Sequence, residues 1–557
     1  MNMKRLMTLL FSVLFIAPGF ARDFEYKHKG RTLTYTVLDE EAKTCCTKAG
    51  KLGSSNPGIY VYGVLTIPEI AKDGNTEYRV TAIGEHSFSY CRDLISVTLP
   101  NSLQDIGKEA FTGTGLESVT IPDGVVSIGD DAFASCRNLT SVTMGNSVIG
   151  IGENAFYNCS ELTDITISDS VETLGNKVFY KCTSLASANL GSRVRTIGSE
   201  CFAGCLMLRS VDMGISVETI GKMAFAQCQL LKSITIPDKV LNIGMETFKD
   251  CLTLKTAVIG NSVRSIGDRA FYNCQSLKSV TFGSSVAQIG YNVFENCKTL
   301  GDVILPPALM SIAEKAFYDA DQIQSVYLGP NVWHIEKSAF YGSYSKTVYI
   351  TAQTPPTLGK YSLSGKTLYV QGDKAYSVYK TSVTNWGKYA EYNRMIEPTD
   401  MEINAEEIEG NAGDTFQLTA KLIPEDVTLP YIFWRSTNPD VATVDHNGLV
   451  TIHRGPADVA ADESGEYKPF SCNIIAESLY YEGPAPEVLV NGGESAIGSI
   501  TDDSENSNDN NANGEIDFNA PAEVYNLQGT MIGRNACNLP AGIYIIRQGK
   551  NVKKLRL

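Results

Sequence analysis

The chain has 557 residues, 43% of them hydrophobic and 20% charged, with a formal net charge of −15. A chain of that length exceeds one globular core, so several folded units are expected. The acidic balance argues against a nucleic-acid partner, whose phosphates need clustered Lys and Arg, and against a polybasic membrane anchor.

Residues 1–21 read as a signal peptide. Lys4 and Arg5 supply the charged start, Leu6 to Ile16 the apolar core, and Gly19-Phe20-Ala21 the small-residue cleavage site. The apolar run is too short to span a bilayer and no other segment reaches that length, so an exported chain without an integral membrane span is expected. Residues 22–82 precede the regular pattern. Their alternating runs at 32–38 (TLTYTVL) and 59–67 (IYVYGVLTI) predict strands. Their expected role is to cap the repeating region, ending in a degenerate first coil.

From 83 to 350 one skeleton recurs, as in Ile266 to Phe282, IGDRAFYNCQSLKSVTF. Its phenylalanines are Phe88, Phe111, Phe133, Phe156, Phe179, Phe202, Phe225, Phe248, Phe271, Phe294, Phe317 and Phe340, stepping by 23 residues with a single step of 22 after Phe111. A fixed period in this range predicts a leucine-rich solenoid, here of about 12–13 coils. Within one coil, Val97 and Leu99 alternate with Ser96 and Thr98, so one strand face is buried and the other wet. Pro100 ends the strand, and Gly107 is expected to take positive φ in a tight bend.

Nine of the fourteen cysteines (Cys91, Cys136, Cys159, Cys182, Cys205, Cys228, Cys251, Cys274, Cys297) share one repeat position. Nine is an odd number, and neither CxxC nor Cys/His ligand spacing occurs. The expectation is a ladder of buried thiols acting as small hydrophobes. The outward strand positions form a second row: Thr98, Thr120, Thr143, Thr166, Asn189, Asp212, Thr235 and Thr281, broken by Val258, Ile304 and Tyr327. Such a row is broad and regular, and a solenoid displays it as an extended face.

The skeleton decays at its end, where Ala313 and Glu336 replace the glycine and Ala320 the cysteine. Residues 351–397 lose the period and read as a closing cap. Eleven of the 27 tyrosines lie between Tyr318 and Tyr392, with Trp333 and Trp386 among them. These aromatics either seal the end of the solenoid or face a partner. Residues 398–492 carry several short strand-like runs and a hairpin turn at His446-Asn447-Gly448, which predict a small β-sandwich. Residues 493–521 are an acidic Asn/Asp-rich linker, and 522–557 a short β tail with a basic end.

Little chemistry stands out. The five histidines are scattered without HExxH, and GxSxG is absent. The glycines before Lys366-Thr367 are spaced one residue too far for a phosphate loop. Asp509, Asn511 and Asn513 imitate a calcium loop, but Ala520 stands where its bidentate carboxylate belongs. No catalytic, cofactor-binding or metal-binding residue is therefore assigned, and no enzymatic activity is expected. The candidate ligand contacts are residues that depart from the repeat: Asp212, Tyr327, Trp333, His334 and Tyr349.

The consensus IGxxAFxxCxxLxSVxIPxSVxxIG resembles the BspA-like leucine-rich repeats of bacterial surface proteins. That resemblance implies a non-enzymatic adhesin. Its partners would be a host matrix or plasma protein of the fibronectin or fibrinogen type, or another bacterial cell. A surface carbohydrate-binding role for the aromatic end is the alternative. LTAKLIPEDVT (418–428) and WRSTNPDVATVDHNGLVT (434–451) resemble a bacterial Ig-like group 2 domain, which would bury Trp434. VYNLQGTMIG and LPAGIYIIRQGKNVKKLRL resemble the C-terminal sorting domain of the type IX (Por) secretion system in Bacteroidetes. This implies contact with that secretion machinery and display outside the outer membrane.

Overall fold

The computed structural model describes residues 22–48, 61–453 except 364 and 383, 471–478 and 484–492, together with the backbone of four strands within 521–556. The signal-peptide reading and nearly all of the acidic linker lie outside the described residues. Two compact units divide at Ile396 and Glu397. The protein is mostly β, with about thirteen solenoid turns followed by an Ig-like β domain.

Each coil makes two parallel pairings with its neighbours. A two-residue strand such as Ser265–Ile266 joins a long sheet, in which Asn242 pairs with Ser265 and Ser265 with Gln288. A three-residue strand such as Ser279–Thr281 lies on a second side of the coil, in a row divided into several short parallel sheets, in register with Thr256–Val258. Inward positions Ile266, Phe271, Cys274 and Leu277 are buried.

The turn between the two strands forms a third ladder, and here the sequence expectation is corrected. Gly107 does not adopt positive φ; a Cβ there would lie 2.7 Å from the Ile83 carbonyl oxygen, so glycine is required by the close approach of the preceding coil. The left-handed conformation falls two residues later, on Glu109 (φ 52°), Asp131 (φ 56°) and Asn154 (φ 56°). Such a conformation costs an L-residue about 1–2 kcal/mol. What it gains is alternating N–H direction. The amides of Glu109, Phe111 and Gly113 donate to the carbonyls of Asp130, Ala132 and Ala134 in the next coil at 2.9, 2.7 and 2.7 Å.

The phenylalanines stack through the centre, with Phe133 and Phe156 5.3 Å apart and nearly parallel, and Phe317 and Phe340 at 4.8 Å. The cysteines do more than fill space. Each ladder thiol from Cys136 to Cys297 donates to the carbonyl of a phenylalanine in the preceding coil, as Cys205 Sγ does to Phe179 at 3.1 Å and Cys274 Sγ to Phe248 at 3.2 Å. All thirteen described cysteines are free. Burial pushes these thiols above their ordinary value, Cys136 to about 11 and Cys182 to about 12.

At the N-terminal end, Asp23–His28 and Arg31–Asp39 form an antiparallel hairpin. It joins the solenoid through Thr44–Thr47, which runs parallel to Thr76–Ile83. Phe24 packs between Tyr35 and Tyr78 over this end. At the other end, stacking outlasts the sequence period. Thr367–Val370 and Glu391–Arg394 extend the last short sheet of the second row, placing Tyr349 beside Tyr369 and Tyr369 beside Asn393. The helix Asp373–Lys380 and the fully buried Trp386 complete this end. The Trp386 indole donates to the Pro356 carbonyl at 2.7 Å, and the Tyr379 hydroxyl donates to that of Ala352 at 3.1 Å.

In the second unit Ser471–Ser478 pairs antiparallel with both Ile432–Ser436 and Glu487–Gly492, and the latter runs parallel to Glu407–Gly410. Trp434 is buried with Leu418, Val441, Val450 and Ile474. Gly448 takes φ 84° in the hairpin, where the Asp445 carboxylate accepts the amides of Asn447 and Leu449, both at 2.8 Å. The tail strands Pro521–Tyr525, Met531–Asn535, Ile543–Gln548 and Asn551–Arg556 form an antiparallel sheet.

Candidate binding surfaces of the solenoid

The coil geometry distributes the candidate residues over separate surfaces. Asp212 ends the strand Ser210–Asp212 and is exposed, its carboxylate accepting the Gly214 amide at 3.0 Å. The same outward row, five coils further on, holds Tyr327. At about 4.8 Å per parallel step, some 24 Å separates the two, so they do not form one site.

Tyr327, Tyr349 and Tyr369 stack along this row, with ring centroids 4.5 and 4.8 Å apart. Tyr327 departs from the expected open contact: it is 8% exposed, and Tyr349 stacks on its ring. Tyr349 and Tyr369 remain half-buried.

Trp333 and His334 belong to the other sheet. Trp333 is 62% exposed, stacks 5.4 Å from the His334 imidazole, and donates its amide to Met310 at 3.0 Å. His334 lies between the Thr357 hydroxyl and, at 3.5 Å, the Glu336 carboxylate. Met310 is itself exposed, so tryptophan, methionine and histidine make an amphipathic patch.

Sequence reasoning missed a third group on the turn ladder. Tyr341, Tyr344 and Tyr361 are all exposed, Tyr344 the most at 69%. Tyr341 stacks on Tyr318 at 5.4 Å and meets Tyr361 edge-on at 6.0 Å, while the Lys360 ammonium lies 4.8 Å over the Tyr361 ring. For Tyr341 the signal was available: the residue after the ladder phenylalanine is a small buried one in several coils, such as Ala134, Ala203 and Ala226, and a tyrosine in others. Tyr157 and Tyr180 occupy that position earlier and also stack, at 5.3 Å. Trp386, by contrast, seals the core.

Among the described residues no group of three His, Cys, Asp or Glu side chains is placed to hold a metal ion, and no helix is long and apolar enough to cross a membrane. The exposed rings on these surfaces suit recognition by contact area.

Short parallel strands, a buried apolar ladder and one turn per coil define a leucine-rich repeat solenoid carrying an Ig-like domain, both typical non-enzymatic folds. The family model of the BspA type leucine rich repeat region matches in six copies over residues 72–160, 105–231, 150–274 and 241–368. Together these matches cover more than half of the chain, which therefore belongs to that family. The model of the bacterial Ig-like domain (group 2) matches residues 398–461. An uncharacterized protein of Clostridium acetobutylicum is 32% identical over 76 residues, 14% of this chain and 19% of that protein's length. Among solved structures, a leucine-rich repeat protein from Bacteroides ovatus is 24% identical, covering 57% of this chain and 93% of that one with a TM-score of 0.44. A leucine rich cell surface protein from Faecalibacterium prausnitzii is also 24% identical, over 65% and 98% of the chains, with a TM-score of 0.36. The pneumococcal vaccine antigen PcpA is 17% identical over 67% and 98%, with a TM-score of 0.33.

Proposed function

We propose that this is an exported, surface-displayed adhesin whose solenoid binds a host matrix or plasma protein of the fibronectin or fibrinogen type, or a partner on another bacterial cell. The observation that carries the reading is the exposed rings toward the C-terminal end of the solenoid: Trp333 on one surface, and Tyr341, Tyr344 and Tyr361 on the turn ladder. Exposed aromatics with polar tips are the side chains that anchor protein partners, and membership of the BspA type repeat family supports a protein-binding role in general. Trp333 with His334 is the proposed anchor, Tyr349, stacked on Tyr327, a contact on the other sheet, and Asp212 a more distant one. Residues 1–21 would direct export, 22–82 and 351–397 would close the solenoid ends, 398–492 would act as a stalk, and 522–557 would serve type IX sorting.

Titration of the mature chain over immobilised fibronectin and fibrinogen, and over intact bacterial cells, tests this. Saturable binding weakened at least about tenfold by Trp333→Ala or Tyr344→Ala is the expected outcome, since hot-spot aromatics carry about 2 kcal/mol or more. No saturable binding to any of the three would overturn it. A second reading, carbohydrate capture, is favoured by the flat Trp333 face lying open beside His334. A glycan array on which binding is lost with Trp333→Ala would select it.

A further inference from the structure

Apart from the aromatic end, one strip of the solenoid is charged against the sign of the whole molecule. The residue immediately before the three-residue strand is Arg209, Lys232, Lys255 and Lys278 in four consecutive coils. Backbone hydrogen bonds fix their alignment: the amide of Lys232 donates to Arg209 at 3.3 Å, that of Lys255 to Lys232 at 2.8 Å, and that of Lys278 to Lys255 at 2.8 Å. All four side chains are exposed.

Elsewhere on this solenoid, several cations meet a carboxylate on the adjacent coil. Arg195 meets Glu218 at 3.0 Å, Lys177 meets Glu200 at 3.8 Å and Arg269 meets Glu246 at 3.6 Å. None of the four strip cations has an ion-pair partner among the described residues. Like charges on neighbouring strands repel, so the alignment is unfavourable unless something anionic lies along it. The net charge of −15 supplies no reason for cations to gather.

The strip has a defined neighbour and defined ends. Beside the cations runs a column of hydroxyls that begins at Ser187 and ends at Ser279, bounded by Asp164 on one side and Asp302 on the other. Those two carboxylates end the column, and Asp212 lies beside it. The cations span three steps of about 4.8 Å, roughly 14 Å. They form a track one residue wide, straight and flanked by hydrogen-bonding hydroxyls.

We infer that this strip binds a linear sulfated polysaccharide laid along the solenoid axis. Three of the four cations are lysines, which act as point charges on flexible stems and suit tetrahedral sulfate; a site built for carboxylates would favour the planar arginine fork. Serine and threonine hydroxyls suit the sugar hydroxyls between sulfates. Single-stranded nucleic acid would need stacking rings along the track, and the strip carries none. The ligand class and the surface both differ from those of the proposed aromatic anchor at Trp333 and His334; of the adhesin contacts, Asp212 alone lies beside the strip.

The test is binding of the full mature chain to immobilised heparin at low and rising salt. Polygalacturonate, polyglutamate and a DNA oligonucleotide serve as comparison ligands. Expected are saturable heparin binding that weakens with salt, and a loss of about tenfold or more in Lys232→Gln/Lys255→Gln, with the salt slope reduced by about two by the counterion-release argument. An unchanged melting temperature shows that the double variant is folded. Trp333→Ala should bind heparin like the parent, which separates this outcome from the fate of the adhesin reading. The inference is overturned by no heparin binding at low salt, by full binding in the double variant, or by equal or tighter binding to any of the three unsulfated ligands.

Discussion

At the residue scale the cysteine column changes meaning once its partners are seen. A thiol that only filled volume could be replaced by alanine at the cost of a small cavity. Here each from Cys136 to Cys297 also donates to a phenylalanine carbonyl one coil away. Cys228→Ala is expected to cost about 1–2 kcal/mol in chemical denaturation, and Cys228→Ser less, because serine keeps the donor. The same column makes the protein alkali-sensitive. Folded thiols such as Cys136 and Cys182 are raised to about 11 and about 12 from an ordinary 9.0, so below pH 9 both states hold their protons and stability is level. Above pH 9 the unfolded chain releases protons that the folded chain retains. Stability then falls, by up to about 1.4 kcal/mol per pH unit for each thiol, until the folded values are passed. Denaturation midpoints followed from pH 7 to 11 should therefore be level and then drop steeply. A midpoint unchanged at pH 10.5 would contradict the thiol account. The position of the ladder was legible in the sequence; its hydrogen bonds were not, because the acceptor lies in another coil's backbone.

At the scale of the coil, glycine and the left-handed residue exchange the roles that sequence intuition gives them. A Cβ on Gly267 would sit 2.8 Å from the Met245 amide nitrogen, so Gly267→Ala should cost about 1–3 kcal/mol from overpacking. Gln227 at φ 62° is the strained position, yet Gln227→Gly should fall within about 1 kcal/mol of the parent, since relief of strain offsets added chain entropy. Paired urea titrations decide the matter, and a larger loss at Gln227 than at Gly267 would reverse the assignment. The strand positions, the buried phenylalanine stack and the outward threonine row could all be read from the 23-residue period. The two further strands at Thr367–Val370 and Glu391–Arg394 could not, because their spacing departs from that period while their register does not. Of the surface, the aromatic crowding was visible but not its division. Tyr327 and Tyr349 sit on one sheet and Trp333 on the other because the chain turns between them.

For the whole molecule, the two compact units have separate cores, one built on the phenylalanine stack and the other on Trp434. Trp434→Ala removes the largest side chain of the second core and should destabilise that unit by about 3–5 kcal/mol. Differential scanning calorimetry of the full chain is expected to show one transition shifted down and the solenoid transition unmoved. A shift of both would mean that the units unfold as one. Coils that each contact only their neighbours also explain why the solenoid tolerates lost glycines and cysteines near its end, as any local defect is bounded by intact stacks.

The shared register has a consequence for distance. Because every coil presents the next with the same rings and carbonyls, a single repeat can in principle be removed or duplicated without redesigning the core. Deleting the 23 residues 283–305 would bring the Lys278 end of the charged strip nearer to Trp333 by one strand spacing, about 4.8 Å, keeping all four cations and the exposed tryptophan while removing the bounding Asp302. The solenoid is in that sense a ruler graduated in single coils, and the separation of its two surfaces is a length that insertion or deletion can set in discrete steps.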